Sequence, residues 1–341
     1  MLRPKVTGLF VELSEFGMLA IKASSLVPPF EIQAVYESPL LDIAGTQAFM
    51  RSITEAHHNQ LSAANCVFYP RKRFLCKAEL ENPMKGRDDP SYFKTLLRDK
   101  FRIETENQSV LVINPHDGYE FGLPPLPKEV LFCGAPSSEM QLWQNTFVDC
   151  ALYPERMEMG TLSGIGAFLD YCNFAKIQTP ALWIELSAEG MTALIFRNNK
   201  IDNVRFMPLG VDHFLATLQT HLNLADLASA RAVLMAGNFN INEIAPLILA
   251  PLIKDLQSFI SFYELQFTTQ LKHIVFTLLP KKLDWLSQFI AKSLSIEPLQ
   301  VDYEAWLNSK GIQGPGLTKL KGSQWLNLCG LMVDHSPQSY A

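Results

Sequence analysis

Two short segments in opposite halves of this chain share one sequence pattern. Val11–Ile21 reads VELSEFGMLAI and Ile184–Leu194 reads IELSAEGMTAL, so six of the eleven positions are identical. In each segment, two apolar-rich stretches flank a turn that begins near a serine and ends at a glycine, which predicts a β-hairpin. Since each hairpin opens its own half of the chain, we infer a duplication that folds as two similar lobes.

The length and composition of the chain agree with two lobes. The 341 residues, of which 48% are hydrophobic, exceed the usual size of one domain and can bury large cores. Strand patterns alternate with helix patterns in both halves, which predicts an α/β fold. With 18% charged residues and a net charge of −5, the chain offers no broad basic surface for nucleic-acid phosphates. We therefore expect no nucleic-acid partner.

Three features favour a location in the cytoplasm. The longest apolar run, Ile244–Ile253, contains Pro246 and Pro251 and is far shorter than the roughly 20 residues of a membrane-spanning helix. Near the N-terminus, Glu12 and Glu15 interrupt the apolar stretch before a signal-peptide core could form. The six cysteines include no Cys-x-x-Cys pair, so we expect reduced cysteines in the core and no metal site.

The boundaries of the two lobes follow from changes in the pattern. Between about residues 81 and 126, prolines and charged residues lead into a helix pattern and then a strand pattern. This stretch indicates a small α+β subdomain inserted into the first lobe. We predict a first lobe of residues 1–164, completed by a C-terminal helix over 325–341, and a second lobe of residues 165–324.

Seven short motifs follow one another along the chain. They are Val67–Pro70, Phe132–Pro136, Leu152–Glu158, Thr192–Arg205, Met207–His213, Leu252–Tyr263 and Leu328–Leu331. Their order and spacing resemble the PilM family of type IV pilus assembly proteins over nearly the whole chain. The resemblance implies the actin-like fold of that family, in which an RNase H-like unit is duplicated into two lobes.

The resemblance also implies how a nucleotide would be held, and this sequence departs from that pattern. In the family, each first hairpin carries Asp-x-Gly, whose carboxylate holds water around Mg²⁺ and whose glycine lets backbone N–H groups approach the phosphates. The corresponding residues here are Glu12 and Ser14 in the first lobe, and Glu185 and Ser187 in the second. Glutamate reaches one carbon further, and serine adds a side chain at the turn. Both changes act against tight nucleotide binding.

The adenosine-binding loop of the family is rich in glycine, but the corresponding stretch Phe276–Lys282 contains none. We therefore expect no cofactor, and we interpret Glu12 and Glu185 as solvated or hydrogen-bonded hairpin residues. The alternative keeps ATP and Mg²⁺. In that case Glu12 and Glu185 coordinate the metal ion, while Lys281 or its neighbour Lys282 contacts phosphate.

For function, the resemblance implies a binding module that has lost its ATPase, with no catalytic residue assigned. Such a scaffold lies at the cytoplasmic face of the inner membrane, to which its partner holds it. It captures the N-terminal cytoplasmic tail of a PilN-like membrane protein. The β-rich stretches Asn65–Leu80 and Ser109–Ile113 are the candidate lining for this extended peptide.

Two other functions stay open. A functional actin-like ATPase, or a phosphotransferase resembling the sugar kinases, would need phosphate-binding loops and a carboxylate base. Asp212 follows Gly210 at a predicted helix start, where we expect it to be an N-cap. Self-association into a polymer, as in relatives of actin, would need complementary surfaces at opposite ends of the molecule.

Overall fold

The computed structural model of the chain describes residues 8–39, 42–54, 61–116, 118, 120–122, 124–237 and 239–333. The strands are β1 (Gly8–Ser14), β2 (Gly17–Ala23), β3 (Phe30–Pro39), β4 (Ser62–Phe68), β5 (Phe74–Glu79), β6 (Gln108–Ile113), β7 (Glu129–Pro136), β8 (Leu152–Met159), β9 (Ala181–Leu186), β10 (Met191–Arg197), β11 (Lys200–Met207), β12 (His273–Thr277), β13 (Glu297–Pro298) and β14 (Ile312–Gln313). The α-helices are α1 (Ile43–Thr54), α2 (Pro83–Asp88), α3 (Pro90–Phe101), α4 (Ser137–Asp149), α5 (Gly160–Phe174), α6 (Val211–His221), α7 (Leu227–Ala236), α8 (Ile241–Phe267), α9 (Asp284–Leu294), α10 (Tyr303–Ser309) and α11 (Leu326–Val333).

The first unit is built on a six-stranded sheet with the order β14-β3-β2-β1-β4-β8. The strands β1, β2 and β3 form an antiparallel meander, whereas β4 runs parallel to β1 and β8 runs parallel to β4. The hairpin turn lies where the repeated segment predicts it, with Ser14 opposite Gly17. All of β1 except Ser14 is buried, because other elements cover both faces of this central strand.

The five-stranded sheet of the second unit repeats this plan in the order β11-β10-β9-β12-β13. The strands β9, β10 and β11 form an antiparallel meander, and β12 runs parallel to β9. The strand β9 therefore takes the central place that β1 has in the first unit. The two sheets confirm the duplication that the repeated segments predict, and the α/β class is confirmed with it.

The subdomain of the first unit is larger than the predicted insertion at 81–126. It has its own three-stranded antiparallel sheet in the order β5-β7-β6, and α2 and α3 accompany this sheet. The strands β5 and β7 lie outside the predicted range, on either side of it. They were missed because a strand's apolar pattern does not reveal which sheet it joins. Phe132 of β7 and Leu97 of α3 are part of the separate hydrophobic core of the subdomain.

The boundary between the two units also lies later than the sequence predicts. The first unit consists of the described residues within 1–175, 302–321 and 325–341. The second unit consists of the described residues within 176–301 and 322–324. The whole of α5 belongs to the first unit because it packs against α11 there. The predicted C-terminal helix begins at Leu326, and its last predicted residues, 334–341, lie outside the described part of the chain.

The longest helix, α8, belongs to the second unit. Its 27 residues make it, among the described residues, the one helix long and apolar enough to cross a membrane, a test that core helices of soluble proteins also pass. One stripe along its length is buried in the unit. That stripe consists of Ile244, Ala245, Ile248, Leu249, Leu252, Leu256, Phe259, Ile260 and Tyr263. This burial identifies α8 as a core helix with one face left exposed.

The six cysteines are free thiols, as the sequence predicts. Five of them are buried and Cys76 is half-buried. Burial raises the pKa of Cys150 to about 11 and that of Cys172 to about 12, so these thiols stay protonated and unreactive at neutral pH.

The contact between α5 and α11 provides a stability test. A Cβ added at Gly330 would lie 2.2 Å from the carbonyl oxygen of Ser163. We expect Gly330→Ala to lower the free energy of unfolding by about 1–3 kcal/mol, measured by urea denaturation, because α11 would be forced away from α5.

A matched control lies in α5 at Gly166, where an added Cβ would have nothing within 4 Å. Alanine favours the helix over glycine by about 1 kcal/mol, so Gly166→Ala should be neutral or stabilising. Equal effects of the two substitutions would contradict the close approach of the two helices.

Candidate functional site

The first candidate residue, Glu12, lies near the turn end of β1, between two neighbouring strands. Its backbone is opposite Leu19 on β2 and Val67 on β4. Its side chain is only 2% exposed. Of the two states expected for this hairpin residue, solvated or hydrogen-bonded, the structure therefore has the buried, hydrogen-bonded one.

A chain of hydrogen bonds reaches the carboxylate of Glu12 from two other elements. The hydroxyl of Tyr69, just after β4, donates to Oε1 of Glu12 over 3.0 Å. The side-chain amide of Asn327, in the first turn of α11, donates to the hydroxyl of Tyr69 over 2.6 Å. Ser163 on α5 donates to the backbone carbonyl of Asn327 over 2.6 Å, which helps to hold α11 in place. These interactions hold the carboxylate inside the first unit.

The ring of Tyr69 lies in a tight space beside Glu12. A Cβ added at Gly160, where α5 begins, would lie 2.1 Å from the ring, so only glycine leaves room for it. The guanidinium group of Arg73 lies 5.5 Å from the ring centroid, within the range of a cation–π contact. An aromatic side chain thus occupies the space next to the carboxylate.

The negative charge of Glu12 also affects buried groups nearby. Burial raises the pKa of the Tyr303 hydroxyl and that of the Cys329 thiol, and the charge of Glu12 adds to both shifts. Both groups therefore stay protonated and neutral beside the carboxylate.

In the second unit, Glu185 has the same position on β9. Its backbone is opposite Thr192 on β10 and Thr277 on β12, and its side chain is fully buried. Glu185, like Glu12, is therefore buried and not solvated. Each central strand carries one buried carboxylate, but the neighbours differ, because threonines stand beside Glu185 where Leu19 and Val67 stand beside Glu12.

The two serines of the repeated segments close their own hairpin turns. The hydroxyl of Ser14 donates to the carbonyl of Gly17 over 3.2 Å, and that of Ser187 donates to the carbonyl of Gly190 over 2.8 Å. Serine therefore stabilises the turn in both units, in the place where the family's glycine leaves the turn open.

The N-terminus of α6 lies against the second of these turns. The backbone N–H of Val211 donates to the carbonyl of Ser187 over 3.0 Å, and that of Asp212 donates to the carbonyl of Ala188 over 2.9 Å. Free N–H groups at a helix start are common ligands for phosphate. Here the carbonyl groups of the turn accept two of these donors.

The carboxylate of Asp212 is not the predicted N-cap. Gly210 is the N-cap residue of α6, and no side chain caps the helix. Asp212 instead accepts a hydrogen bond from Arg231 on α7 over 3.0 Å, at an exposed position. The capping prediction was wrong because the turn carbonyls already satisfy the first N–H groups of the helix.

The loop after β12 keeps an unusual backbone without glycine. Leu278 has a φ of 65°, in the left-handed region that favours glycine, and its side chain is buried. Lys281 and Lys282 follow on an exposed turn. Lys281 lies near Asp284, whose pKa is raised by burial and lowered in part by the charge of Lys281.

The structure thus places the predicted site residues in two sets. Glu12 and Ser14 lie in the first unit, while Glu185, Ser187 and Lys281 lie in the second. Within the described part of the chain, no group of three or more His, Cys, Asp or Glu side chains could hold a metal ion.

Two residues beside Glu12 were missed by sequence reasoning. Tyr69 lies within the motif Val67–Pro70 and Asn327 directly precedes the motif Leu328–Leu331, so their neighbourhoods were noticed while their roles were not. Their contact joins positions far apart in the chain, and no local pattern signals such a contact.

The repeated sheets, each with a buried carboxylate beside a hairpin turn, define the chain as a protein of the actin-like ATPase fold. No family model and no curated protein matches its sequence.

Among solved structures, a PilM–PilN type IV pilus biogenesis complex matches the chain with a TM-score of 0.68 and 16% identity, over 98% of this chain and 100% of that chain. This chain is therefore folded like PilM, and the resemblance drawn from the motifs is confirmed at the level of the fold. A protein of actin-like ATPase fold from Bacteroides thetaiotaomicron matches over 96% of both chains, with 9% identity and a TM-score of 0.46. The protein EutJ from Carboxydothermus hydrogenoformans matches with 10% identity and a TM-score of 0.45, over 98% of this chain and 90% of its own.

The bond between Tyr69 and Glu12 can be tested by removing one hydroxyl group. Tyr69→Phe takes a donor from a buried carboxylate, so we expect the free energy of unfolding to fall by about 1–3 kcal/mol. The control is Tyr153→Phe, because Tyr153 is 58% exposed and its hydroxyl can bond water. Urea denaturation of both variants measures the difference, and equal stabilities would show that the bond contributes little.

Proposed function

We propose that this chain is a cytoplasmic scaffold of type IV pilus assembly that binds the N-terminal cytoplasmic tail of a PilN-like membrane protein. The observation that carries the proposal is the match over the full length to a chain of a PilM–PilN complex. The scaffold would be held at the inner face of the bacterial cytoplasmic membrane through this partner.

An apolar row that ends in one exposed leucine supports a peptide-binding surface in the first unit. Leu75 on β5, Cys133 on β7 and Leu111 on β6 lie directly opposite one another across the three-stranded sheet. Residues paired in this way point to the same face of a sheet. Leu75 and Cys133 pack into the main core of the unit, whereas Leu111 is 43% exposed. The row therefore leads from that core to solvent where the subdomain begins.

The strands at the edges of this sheet could add a further strand. Within the described residues, β7 is the central strand and pairs with β5 on one side and with β6 on the other. The outer edges of β5 and β6 therefore pair with no further strand of this sheet. The outer edge of β6 is in part covered, because Ile113 bridges to Glu120 and the N–H of Phe121 donates to the carbonyl of Val112. The edge of β5 is thus more open to an added strand, whereas the exposed side of β6 offers Leu111 to an apolar side chain of the peptide.

One part of the predicted lining is corrected by the fold. The strand β4, at the start of the stretch Asn65–Leu80, lies between β1 and β8 in the main sheet. Asn65 and Val67 on it are buried, so β4 presents no edge to a peptide. The proposed lining is therefore β5 together with the exposed side of β6.

The proposal includes the loss of nucleotide binding, because the residues at the positions of the family's nucleotide site fit Mg²⁺-ATP poorly. Tyr69 already bonds the carboxylate of Glu12, and turn carbonyls already bond the first N–H groups of α6. After β12, the buried side chain of Leu278 stands in the loop where the family has glycine. Each observation opposes one of the contacts that phosphate, metal or adenosine would need.

Peptide binding can be measured by isothermal titration with the cytoplasmic tail of the PilN-like protein encoded in the same genome. We expect Leu111→Asp to weaken binding at least about tenfold, because it places a charge in the apolar row. The matched control is Leu227→Asp on α7, where leucine is 49% exposed in the second unit. If both variants bind the peptide as tightly as the unmodified protein, the apolar row is not the binding site. If the unmodified protein does not bind the peptide, the proposed PilN-like partner is wrong.

Nucleotide binding is tested separately by titrating the protein with Mg²⁺-ATP. We expect no heat of binding at concentrations where other ATPases of this fold would be saturated. Tight binding that Glu12→Ala and Glu185→Ala abolish would refute the loss of nucleotide binding and favour a functional ATPase. That result would leave the peptide proposal standing, because the two titrations use different surfaces.

A further inference from the structure

The chain passes between the main sheet of the first unit and the subdomain at two places. Residues 69–73 connect the end of β4 to the start of β5, and β7 continues directly into α4 at Ser137. We call residues 69–73 the connecting segment. A connection of this length lets an edge strand such as β5 move unless other contacts hold it. The position of the β5 edge therefore depends on what holds the connecting segment.

Arg73 is the last residue of the connecting segment and ties it to α5. Its Nε donates to Oγ1 of Thr161 over 3.1 Å, and its Nη1 donates to the carbonyl of Pro70 over 2.9 Å. The guanidinium group thus bonds a helix on one side and closes its own turn on the other. Thr161 is only 2% exposed, so water competes little for its bond to Arg73.

The starts of two helices fit the rest of the connecting segment. Gly160, the first residue of α5, leaves room for the ring of Tyr69, and Thr161 is the next residue along that helix. At the start of α4, both carboxylate oxygens of Glu139 accept from the backbone N–H of Lys72 over 3.4 Å. The segment from which β5 begins is therefore held by α4 and α5 together.

The contact between Arg73 and α5 depends on shape more than on charge. Thr161 lies in the first turn of α5, and the N-terminus of a helix carries a partial positive charge that repels a guanidinium group. The bond to the Thr161 hydroxyl and the contact with the face of the Tyr69 ring offset this repulsion. Both contacts use the planar fork of arginine, which lysine does not have.

We propose that Arg73 is a positioning residue for the peptide: through Thr161, it holds the edge of β5 in the orientation that accepts an added strand. The proposal rests on the proposed function, because it concerns the same surface. A peptide that pairs with a preformed edge loses less free energy than one that must order the edge as it binds. Arg73 therefore acts through β5 and not through a contact with the peptide.

Hydrogen exchange of the free protein, followed by mass spectrometry, tests the positioning without any peptide. Arg73→Ala should raise the exchange rate of the β5 backbone amides about tenfold, because the start of the strand loses a charge-assisted hydrogen bond. The matched control is Arg71→Ala, which removes an exposed arginine from the same connecting segment. Equal exchange of β5 in the two variants would overturn the proposal. A rise that extends to β1 would show a general loss of stability and would overturn it as well.

Isothermal titration with the peptide tail measures the consequence for binding. Arg73→Ala and Thr161→Val should each raise the dissociation constant about tenfold. Thr161→Ser keeps the hydroxyl group and should bind like the unmodified protein. Because both losses break the same bond, the double variant should bind no more weakly than either single variant. Effects that multiply in the double variant would show that the two residues act separately, which contradicts positioning through Thr161.

Arg73→Lys distinguishes positioning from simple attraction between charges. Lysine keeps the positive charge but lacks the planar fork, so this variant should bind the peptide as weakly as Arg73→Ala. Normal binding by Arg73→Lys would mean that the charge is sufficient, and the proposal would be wrong. If the unmodified protein does not bind the peptide, the proposed partner is wrong, and hydrogen exchange of β5 still decides whether Arg73 positions this edge.

Discussion

A carboxylate buried near the turn end of each central strand is the constraint that both sheets share. A buried carboxylate is costly unless neighbouring groups donate hydrogen bonds to it. In the first unit, Tyr69 donates to Glu12 and Asn327 donates in turn to Tyr69. This arrangement requires the end of β4 and the start of α11 to meet at β1. The last described helix is therefore tied to the first strand of the chain.

The two halves keep the same strand order but surround the carboxylate differently. In the first, an aromatic ring and an amide from distant elements reach Glu12, whereas in the second, threonines on the adjacent strands stand beside Glu185. The serine that closes each hairpin turn, Ser14 or Ser187, is common to both. In both halves, the serine hydroxyl thus closes the hairpin turn onto the carbonyl group of the glycine that ends it.

Local features of this fold could be predicted from the sequence, and contacts between distant segments could not. The repeated hairpins around Glu12 and Glu185 were predicted because a turn with alternating strands leaves a local pattern. The subdomain boundaries were missed because β5 and β7 have the same apolar character as strands of the main sheet. The burial of both glutamates was missed for a related reason. A polar residue in a hairpin is usually solvated, and only the packing of β4 and α11 around β1 makes Glu12 an exception.

The strand β5 belongs to two hydrophobic cores at once. Leu75 packs into the main core of the first unit, while its neighbours Phe74 and Cys76 pack against the core of the subdomain. Because successive side chains of a strand point to opposite faces, the loss or gain of one residue in the preceding turn would exchange these two sets together. The length of the turn at 70–73 is therefore restricted far more than that of an ordinary surface loop. Natural variation there should occur by replacement of residues and not by insertion or deletion.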